Sequence, residues 1–268
     1  MLRPFLLIAA LVSSASTVFA QTAGSDLVTL ENRQDSQGWE AVGRLDVSTG
    51  GFCTAALIRD KLLLTAAHCV FDQQGKQIPA ADFTFQAGLR YGRAEATSGI
   101  RKIVAHPDYT PNGHSTGAQN VQNDIAVLEL NRPIRRTRIQ PFPVAARPRR
   151  GDEVAIVSYG RGREDAPSLQ ESCSILGRQA GALVMNCEVE FGSSGSPVFQ
   201  ITDGRARIVS VVSAIAQAGG NEVSLGTSLQ DPLQELLAHF ANAGTPAPRS
   251  ISLGTRSAGA AKFVRPAD

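Results

Sequence analysis

The sequence has little net charge, no cysteine pattern typical of a metal site, and no long apolar run after its first twenty residues. A balance of +2 is too small to indicate a nucleic-acid partner. The four cysteines include no Cys-x-x-Cys pair and do not cluster with histidines, so no metal site is expected. Because no later segment is long and apolar enough to cross a bilayer, the mature chain is expected to have no membrane partner.

The first twenty residues have the organisation of a secretory signal peptide. Arg3 gives a basic start, Phe5 to Val12 an apolar core, and Val18-Phe19-Ala20 small residues at the two positions that signal peptidase reads. Cleavage after Ala20 is predicted, since the apolar core is too short for a membrane anchor. The protein is therefore expected to be secreted, to a periplasm or outside the cell. Residues 21–38 are polar and are either a pro-segment or a loose N-terminal arm.

An exported chain with four cysteines most simply contains two disulfides. Three pairings are possible, and the most local one joins Cys53 to Cys69 and Cys173 to Cys187. The second bridge would close a loop of about 15 residues, which is worth roughly 3 kcal/mol in the chain-entropy description of disulfides.

Frequent glycine and short runs rich in Val, Ile and Leu favour an all-β fold. Residues 39–135 form a first set of predicted strands, and residues 151–244 form a second set followed by a helix. Residues 136–150, rich in Pro and Arg, are interpreted as a solvated linker between the two sets, with an anionic docking patch as the alternative. Residues 245–268 are rich in small and polar residues and are predicted to be a flexible tail.

The predicted helix has a start signal and one apolar face. Asp231 is a suitable N-cap, and Pro232 is suited to the first helical position. Leu233 and Leu236 share the apolar face, and Gly244 can end the helix.

The stretch Phe191-Gly192-Ser193-Ser194-Gly195-Ser196-Pro197 surrounds a serine with small residues. Such a turn can expose the Ser194 hydroxyl and aim the N–H groups of Gly192 and Ser194 at one point, where the negative oxygen of an acyl-transfer intermediate would be stabilised. A Gly/Ser-rich turn between strands is the plain alternative, and this stretch alone favours neither interpretation.

Two further stretches decide between these alternatives. His68 ends the apolar strand that runs through Leu64-Thr65-Ala66-Ala67, where packed backbone would give a general base the rigidity it needs. Asp124 precedes the apolar run Ile125 to Leu130, which would bury it, and a buried carboxylate requires partners such as His68.

In these stretches and their order, the chain resembles a trypsin-like serine protease of the chymotrypsin fold. Gly51-Phe52-Cys53 and Leu64 to Cys69 are similar to the family's histidine segment with its neighbouring disulfide, Asn123 to Leu130 to its aspartate segment, and Gly192 to Pro197 to its nucleophile segment. The order His, Asp, Ser is that of chymotrypsin. The resemblance covers roughly residues 39–243 and implies two antiparallel Greek-key β-barrels with a C-terminal helix.

The resemblance also implies a role for each of these residues. Ser194 would attack a carbonyl carbon, His68 would take the serine proton and pass it to the leaving group, and Asp124 would orient the imidazole. The N–H groups of Gly192 and Ser194 would form the oxyanion hole. Ser194 rather than Ser193 is the nucleophile, because only Ser194 has a glycine two positions before it and a small-residue pair after it.

Four candidate substrate-binding residues follow from the same resemblance. Phe191 adjoins the nucleophile turn, and Ser213 matches a serine that bonds the catalytic aspartate and lines the substrate channel. Ile215 stands where trypsin-like enzymes have glycine, and its bulk would narrow the primary pocket. Glu188 lies near the position at which an acidic residue would select Lys or Arg, but the segment after Cys187 is shorter than in trypsin, which leaves a purely surface role open.

The sequence departs from trypsin-like digestive enzymes at a position that controls their activation. Trypsin-like digestive enzymes carry Asp where Ser193 stands, and that Asp pairs with a newly cut N-terminus. Bacterial glutamyl endopeptidases have an uncharged residue there, and the segment Trp39 to Leu45 is also similar to that branch. No Ile-Val-Gly-Gly start is visible, so activity is predicted not to depend on such a pair.

Taken with the signal peptide, the three motifs predict a secreted serine endopeptidase that acts as a monomer on polypeptide substrates without a cofactor. A catalytically silent relative that binds partners through the same fold is one alternative. An esterase that uses the same triad is the other.

Overall fold

The structure is a computed structural model that describes residues 27–111, 118–145 and 147–243. The predicted signal peptide, residues 21–26, Gly244 and the predicted tail lie outside the described residues. The described part consists mostly of antiparallel strands, which confirms the predicted all-β class. Among the described residues, no helix has the length and apolar character needed to span a membrane.

Six strands form a closed barrel in the N-terminal half, in the order β2-β3-β4-β7-β6-β5. Their bounds are β2 Val42–Val47, β3 Phe52–Arg59, β4 Leu62–Thr65, β5 Phe83–Ala87, β6 Ala96–Ala105 and β7 Ala126–Leu130. β4 and β7 are apolar runs that are buried along their whole length, and they pair with each other. This pairing brings the end of β4 close to the start of β7, where Thr65 lies opposite Ala126.

A second sheet follows in the C-terminal half, in the order β1-β9-β10-β13-β12-β11-β8. The bounds are β1 Val28–Thr29, β8 Glu153–Gly160, β9 Arg163–Gln179, β10 Ala182–Met185, β11 Pro197–Thr202, β12 Arg205–Ala218 and β13 Asn221–Ser228. β8 also pairs with β9, and this pairing joins the two ends of the six-strand series into a second closed arrangement. β1, in the predicted N-terminal arm, adds to β9 at its outer side.

Both strand sets have the Greek-key order. In the first, three consecutive strands pair in sequence and the fourth returns beside the first, which gives β5-β2-β3-β4. In the second, the same rule gives β11-β8-β9-β10. The nucleophile turn directly precedes β11. Because β11 pairs with β8, the turn lies next to β8.

The segment between the two barrels is less solvated than the sequence analysis predicted. Ile139 and Phe142 are buried, and the N–H of Phe142 donates to the carbonyl of Leu57 over 2.9 Å. The ring centroid of Phe142 lies 4.6 Å from that of Phe199 in β11, and the Trp39 ring packs against Phe199 in a tilted arrangement at 5.0 Å. The apolar residues between the prolines are therefore part of the junction between the barrels, while the arginines of the segment lie mainly at the surface.

The part of the chain that the structure describes contains two α-helices, α1 Ala118–Gln122 and α2 Gln230–Asn242. The N-cap of α2 is Leu229, two residues before the predicted N-cap Asp231, which lies in the first turn instead. Pro232 is tolerated there, because the first N–H groups of a helix have no partner within it. The buried Leu233 and Leu236 belong to an apolar core cluster that draws on both barrels. The helix itself packs against β6 and β7 of the first barrel, although it follows the second barrel in the chain.

Candidate active site

His68 lies just after β4, at the start of a short 3-10 turn His68–Val70. The two residues that connect it to β4, Ala66 and Ala67, are fully buried. A disulfide joins the neighbouring Cys69 to Cys53 in β3. Packed backbone on one side and a covalent cross-link on the other hold the backbone of His68, while its side chain remains 33% exposed.

Asp124 is positioned by the segment between α1 and β7, and its side chain is only 5% exposed. Its carboxylate accepts a hydrogen bond from the His68 backbone N–H at 2.8 Å and contacts the ring nitrogen Nδ1 at 2.7 Å. The hydroxyl of Ser213 donates to the same carboxylate. A buried charge is stable only when it is paired and hydrogen-bonded, and these partners supply both conditions.

The pKa of the His68 imidazole reflects this pairing. Burial lowers the pKa, but the charge of Asp124 and its hydrogen bond to the ring outweigh burial, so the net pKa lies above the ordinary value of 6.5. Because Nδ1 bonds to the carboxylate, it carries the ring hydrogen in the neutral form, which leaves Nε2 with a free lone pair. His68 thus has the geometry of a general base with a fixed tautomer.

The nucleophile turn is held by hydrogen bonds at almost every residue. The N–H of Ser193 donates to the carbonyl of Glu190 at 2.8 Å, and that of Gly195 to Val212 at 2.8 Å. Thr54 in β3 of the first barrel donates its N–H to the Ser194 carbonyl at 2.9 Å and its hydroxyl to the Gly192 carbonyl at 3.0 Å.

The N–H groups of Gly192 and Ser194 have no acceptor among the residues that the structure describes. They are the two donors that the sequence analysis assigned to the oxyanion hole. Gly192 has φ +97°, in the left-handed region that favours glycine. The turn therefore combines a rigid backbone with two donors that are free to bind a developing negative charge.

Ser194 and His68 line the same cavity, whose volume is about 770 Å³. No hydrogen bond joins the two side chains among the described residues, and His68 Nε2 lies 3.8 Å from the Cys69 sulfur. In structures without substrate such catalytic hydrogen bonds are often long and tighten when substrate binds.

Three of the four candidate substrate-binding residues line this cavity: Phe191, Ser213 and Ile215. The side chains of Phe191 and Ile215 are 69% and 42% exposed, which is unusual for large apolar residues. Glu188 is not part of the cavity wall within the described residues, and its N–H donates to the side chain of Gln170 at 2.8 Å. Glu188 therefore lies outside the cavity wall, and the surface role that the sequence left open stays a prediction.

The cavity also has walls that the sequence analysis did not assign. Phe52 comes from β3, and Arg161 follows β8 and forms an ion pair with Glu190 at 3.2 Å. The guanidinium of Arg161 lies 4.5 Å above the Phe191 ring. The aromatic residue next to the glycine of the nucleophile turn is the only sequence signal that could have indicated this contact.

One group of side chains in the described residues has the spacing of a metal site: Cys53, His68 and Cys69. Both sulfur atoms are joined in the disulfide and supply no thiolate, so this group lacks the ligands that zinc requires. The second disulfide joins Cys173 to Cys187, and no free cysteine occurs among the described residues.

Comparison with known proteins gives concordant results. The family model described as Trypsin matches residues 29–231. Granzyme C of Mus musculus is 29% identical over 170 residues, which are 59% of this chain and 59% of granzyme C. Glutamyl endopeptidase of Bacillus licheniformis is 24% identical over 224 residues, which are 82% of this chain and 68% of that relative.

Among solved structures, a Glu endopeptidase in complex with MPD has the same fold, with a TM-score of 0.66 at 18% identity. The match covers 82% of this chain and 98% of that one. The chain spans less than two thirds of some of the curated relatives it matches: 59% of granzyme C and 39% of mouse cathepsin G.

Proposed function

Since the chain belongs to the trypsin family, we propose that it is a secreted serine endopeptidase that hydrolyses peptide bonds through Ser194, His68 and Asp124. The observation that carries this proposal is the fixed pair of His68 and Asp124, with Nδ1 2.7 Å from the carboxylate, in one cavity with Ser194. The two unpaired N–H groups beside Ser194 add the electrostatic part of the site.

The proposed reaction follows from these positions. His68 Nε2 accepts the proton of the Ser194 hydroxyl as the oxygen attacks the peptide carbonyl, and it later gives that proton to the leaving amine. Asp124 stabilises the imidazolium that forms in between. The N–H groups of Gly192 and Ser194 stabilise the oxyanion, and removal of one such donor typically costs about 10²–10³-fold in rate. Water then takes the place of the amine. His68 accepts a proton from the water as it attacks the acyl carbon, and it gives that proton to the Ser194 oxygen as the ester bond breaks and the acid leaves.

Secretion is supported by the two disulfides, which form and persist in oxidising compartments. It also relies on the signal peptide predicted from residues 1–20. We propose that a polypeptide is the substrate, in keeping with the protease family of the chain, and the predicted monomeric state stays a prediction.

The cavity beside Ser194 favours an apolar residue at the scissile bond. Its lining includes the apolar side chains of Val189, Val212, Ala214 and Ile215. Of the two acidic residues that also line it, Glu190 pairs with Arg161 and Glu164 accepts the N–H of Gly162. The one arginine that lines it, Arg161, is already paired with Glu190. Within the described residues the cavity wall therefore offers no unpaired arginine or lysine to a substrate carboxylate. We accordingly propose no preference for the glutamyl residues that the name of the Bacillus relative indicates.

The experiment combines an active-site probe with a peptide library. A fluorophosphonate is expected to label the wild-type protein, and Ser194→Ala is expected to abolish labelling. Ser196→Ala is the matched control, because it keeps the Ser194 hydroxyl and removes a buried hydroxyl that has no hydrogen-bond partner among the described residues. Cleavage of the library should be most frequent after apolar residues. Absence of labelling would indicate a catalytically silent protein, and turnover of esters without peptide cleavage would indicate an esterase.

A further inference from the structure

The hydrogen-bonding capacity of the Ser193 hydroxyl is saturated. The residue is fully buried, and its oxygen accepts from Arg163 Nη2 at 3.0 Å and from the Glu190 N–H at 3.2 Å. The hydroxyl donates in turn to the Tyr159 carbonyl at 3.2 Å. A serine has one hydrogen to donate and two lone pairs to accept with, so no capacity is left for another partner.

Arg163 is itself anchored to the end of β8. Its Nη1 donates to the Ser158 carbonyl at 2.6 Å, and its Nη2 donates to the Ser158 hydroxyl at 2.9 Å. Arg163 is the first residue of β9 and pairs with Gly160 across the turn. A Cβ at Gly160 would lie 2.8 Å from Nη2, so the glycine makes room for the guanidinium over the backbone.

The guanidinium remains a cation at neutral pH, because arginine does not lose its proton in proteins. Burial lowers the pKa of Arg163, and the charges of Glu190, Glu188 and Glu164 partly offset this effect. A fixed cation therefore lies against the side chain of the residue between the two oxyanion donors. Movement of Ser193 would break three hydrogen bonds at once and rotate the peptide planes of both neighbours.

We propose that Arg163 is a positioning residue that holds the oxyanion turn in its active form from within the folded chain, so that activity requires no newly cut N-terminus beside Ser193. This inference rests on the proposed function. The guanidinium occupies one side of Ser193, and the saturated hydroxyl offers no acceptor to an incoming amine. Arg163 acts through Ser193 and does not touch substrate, since it is not part of the cavity wall within the described residues.

The test compares Arg163→Gln with Arg135→Gln, an exposed arginine that forms only a surface ion pair with Asp60. For Arg163→Gln, kcat and the fluorophosphonate labelling rate are expected to fall by about 10²-fold, the usual effect of losing one oxyanion donor, with little change in KM. Arg163→Gly should regain part of this rate when millimolar guanidinium ion is added. A purely structural arginine would change the melting temperature without this kcat-specific loss or its rescue.

If Arg163→Gln does not fold, a second pair of variants tests whether Arg163 acts through Ser193. Ser193→Asp is expected to keep part of the labelling, because the new carboxylate can pair with Arg163 although it has no hydrogen to donate to the Tyr159 carbonyl. The double variant Ser193→Asp/Arg163→Gln is expected to lose it, because the buried carboxylate then has no cation. Equal labelling of the single and double variants would overturn the proposal.

The activation part is tested with a stably folded domain fused ahead of Gln21, which prevents any free amine from reaching Ser193. This fusion is expected to label at the wild-type rate, and labelling only after the fusion is cleaved would overturn the inference. Wild-type labelling of Arg163→Gln would also overturn it and leave the proposed function intact. If the wild-type protein itself does not label, the proposed function fails instead.

Discussion

Gly195 is the position at which the structure predicts the largest effect of a single added methyl group. A Cβ there would lie 2.1 Å from the Thr65 hydroxyl and 2.3 Å from the Thr54 carbonyl oxygen, and the residue has φ +80°. Gly204, with φ +69° in the turn between β11 and β12, is a matched control, because nothing lies within 4 Å of its added Cβ. Both substitutions strain the backbone, but only the one at Gly195 also creates a clash.

The expected magnitudes differ accordingly. Left-handed backbone costs about 1–2 kcal/mol for alanine at either position. At Gly195, overpacking against the backbone of β3 adds about 1–3 kcal/mol, which gives a total of about 2–5 kcal/mol. Any shift that relieves the clash also moves the adjacent N–H of Ser194, so activity should fall by about 10²–10³-fold. Gly204→Ala should keep the wild-type activity.

Stability can be measured by urea unfolding with the fluorescence of Trp39, the only tryptophan of the chain. Activity can be measured by the rate of fluorophosphonate labelling. If Gly195→Ala and Gly204→Ala proved equally stable and labelled equally fast, the packing of the nucleophile turn against β3 would be wrong.

Two other expectations concern pH and the junction of the barrels. Because only neutral His68 can accept a proton, kcat/KM should fall on the acid side through a pKa above 6.5, and a midpoint at or below 6.5 would contradict the pairing with Asp124. The same raised pKa stabilises the fold below pH 6.5, and its contribution disappears as the pH rises through the folded-state pKa. Phe199→Ala should cost about 3–5 kcal/mol, measured by Trp39 fluorescence, because the Phe199 ring is fully buried. Ile201→Ala, on the same strand but 50% exposed, should stay within about 0.5 kcal/mol, and equal losses would refute the packing argument.

The strand pattern and the three motifs were predictable from local sequence. The apolar runs that became β4 and β7 lie next to His68 and Asp124 in the chain, so the order of residues itself indicates that each side chain follows or precedes a buried strand. The same holds for Gly192 and Ser194, whose spacing within one short turn determines where their N–H groups can point.

Arg163 could not be assigned in this way. Its contact with Ser193 spans 30 residues and depends on the register that pairs it with Gly160. An arginine at the start of a strand has no local signal for a buried partner, since most such side chains are solvated. Glu188 is the converse case, because its position along the chain suggested a substrate contact, but it does not line the cavity within the described residues.

For the C-terminal helix, too, the sequence predicts one property and not another. The apolar face with Leu233 and Leu236 was readable from its spacing, whereas the surface that the face covers was not. A helix that follows the second barrel could pack on either barrel, and only the structure shows that it packs against β6 and β7 of the first one.

Thr54 makes the two halves of the molecule dependent on each other. It belongs to β3 of the first barrel, yet its backbone N–H and its hydroxyl donate hydrogen bonds to two carbonyls of the turn that carries Ser194. Its hydroxyl oxygen also accepts a hydrogen bond from the N–H of Tyr159. The first barrel alone would consequently contain the base His68, and the second alone the nucleophile Ser194. Neither barrel by itself could hold the anion-binding turn in its conformation. Recombination of such halves between relatives should succeed only where the incoming strand brings a small hydroxyl residue at this point.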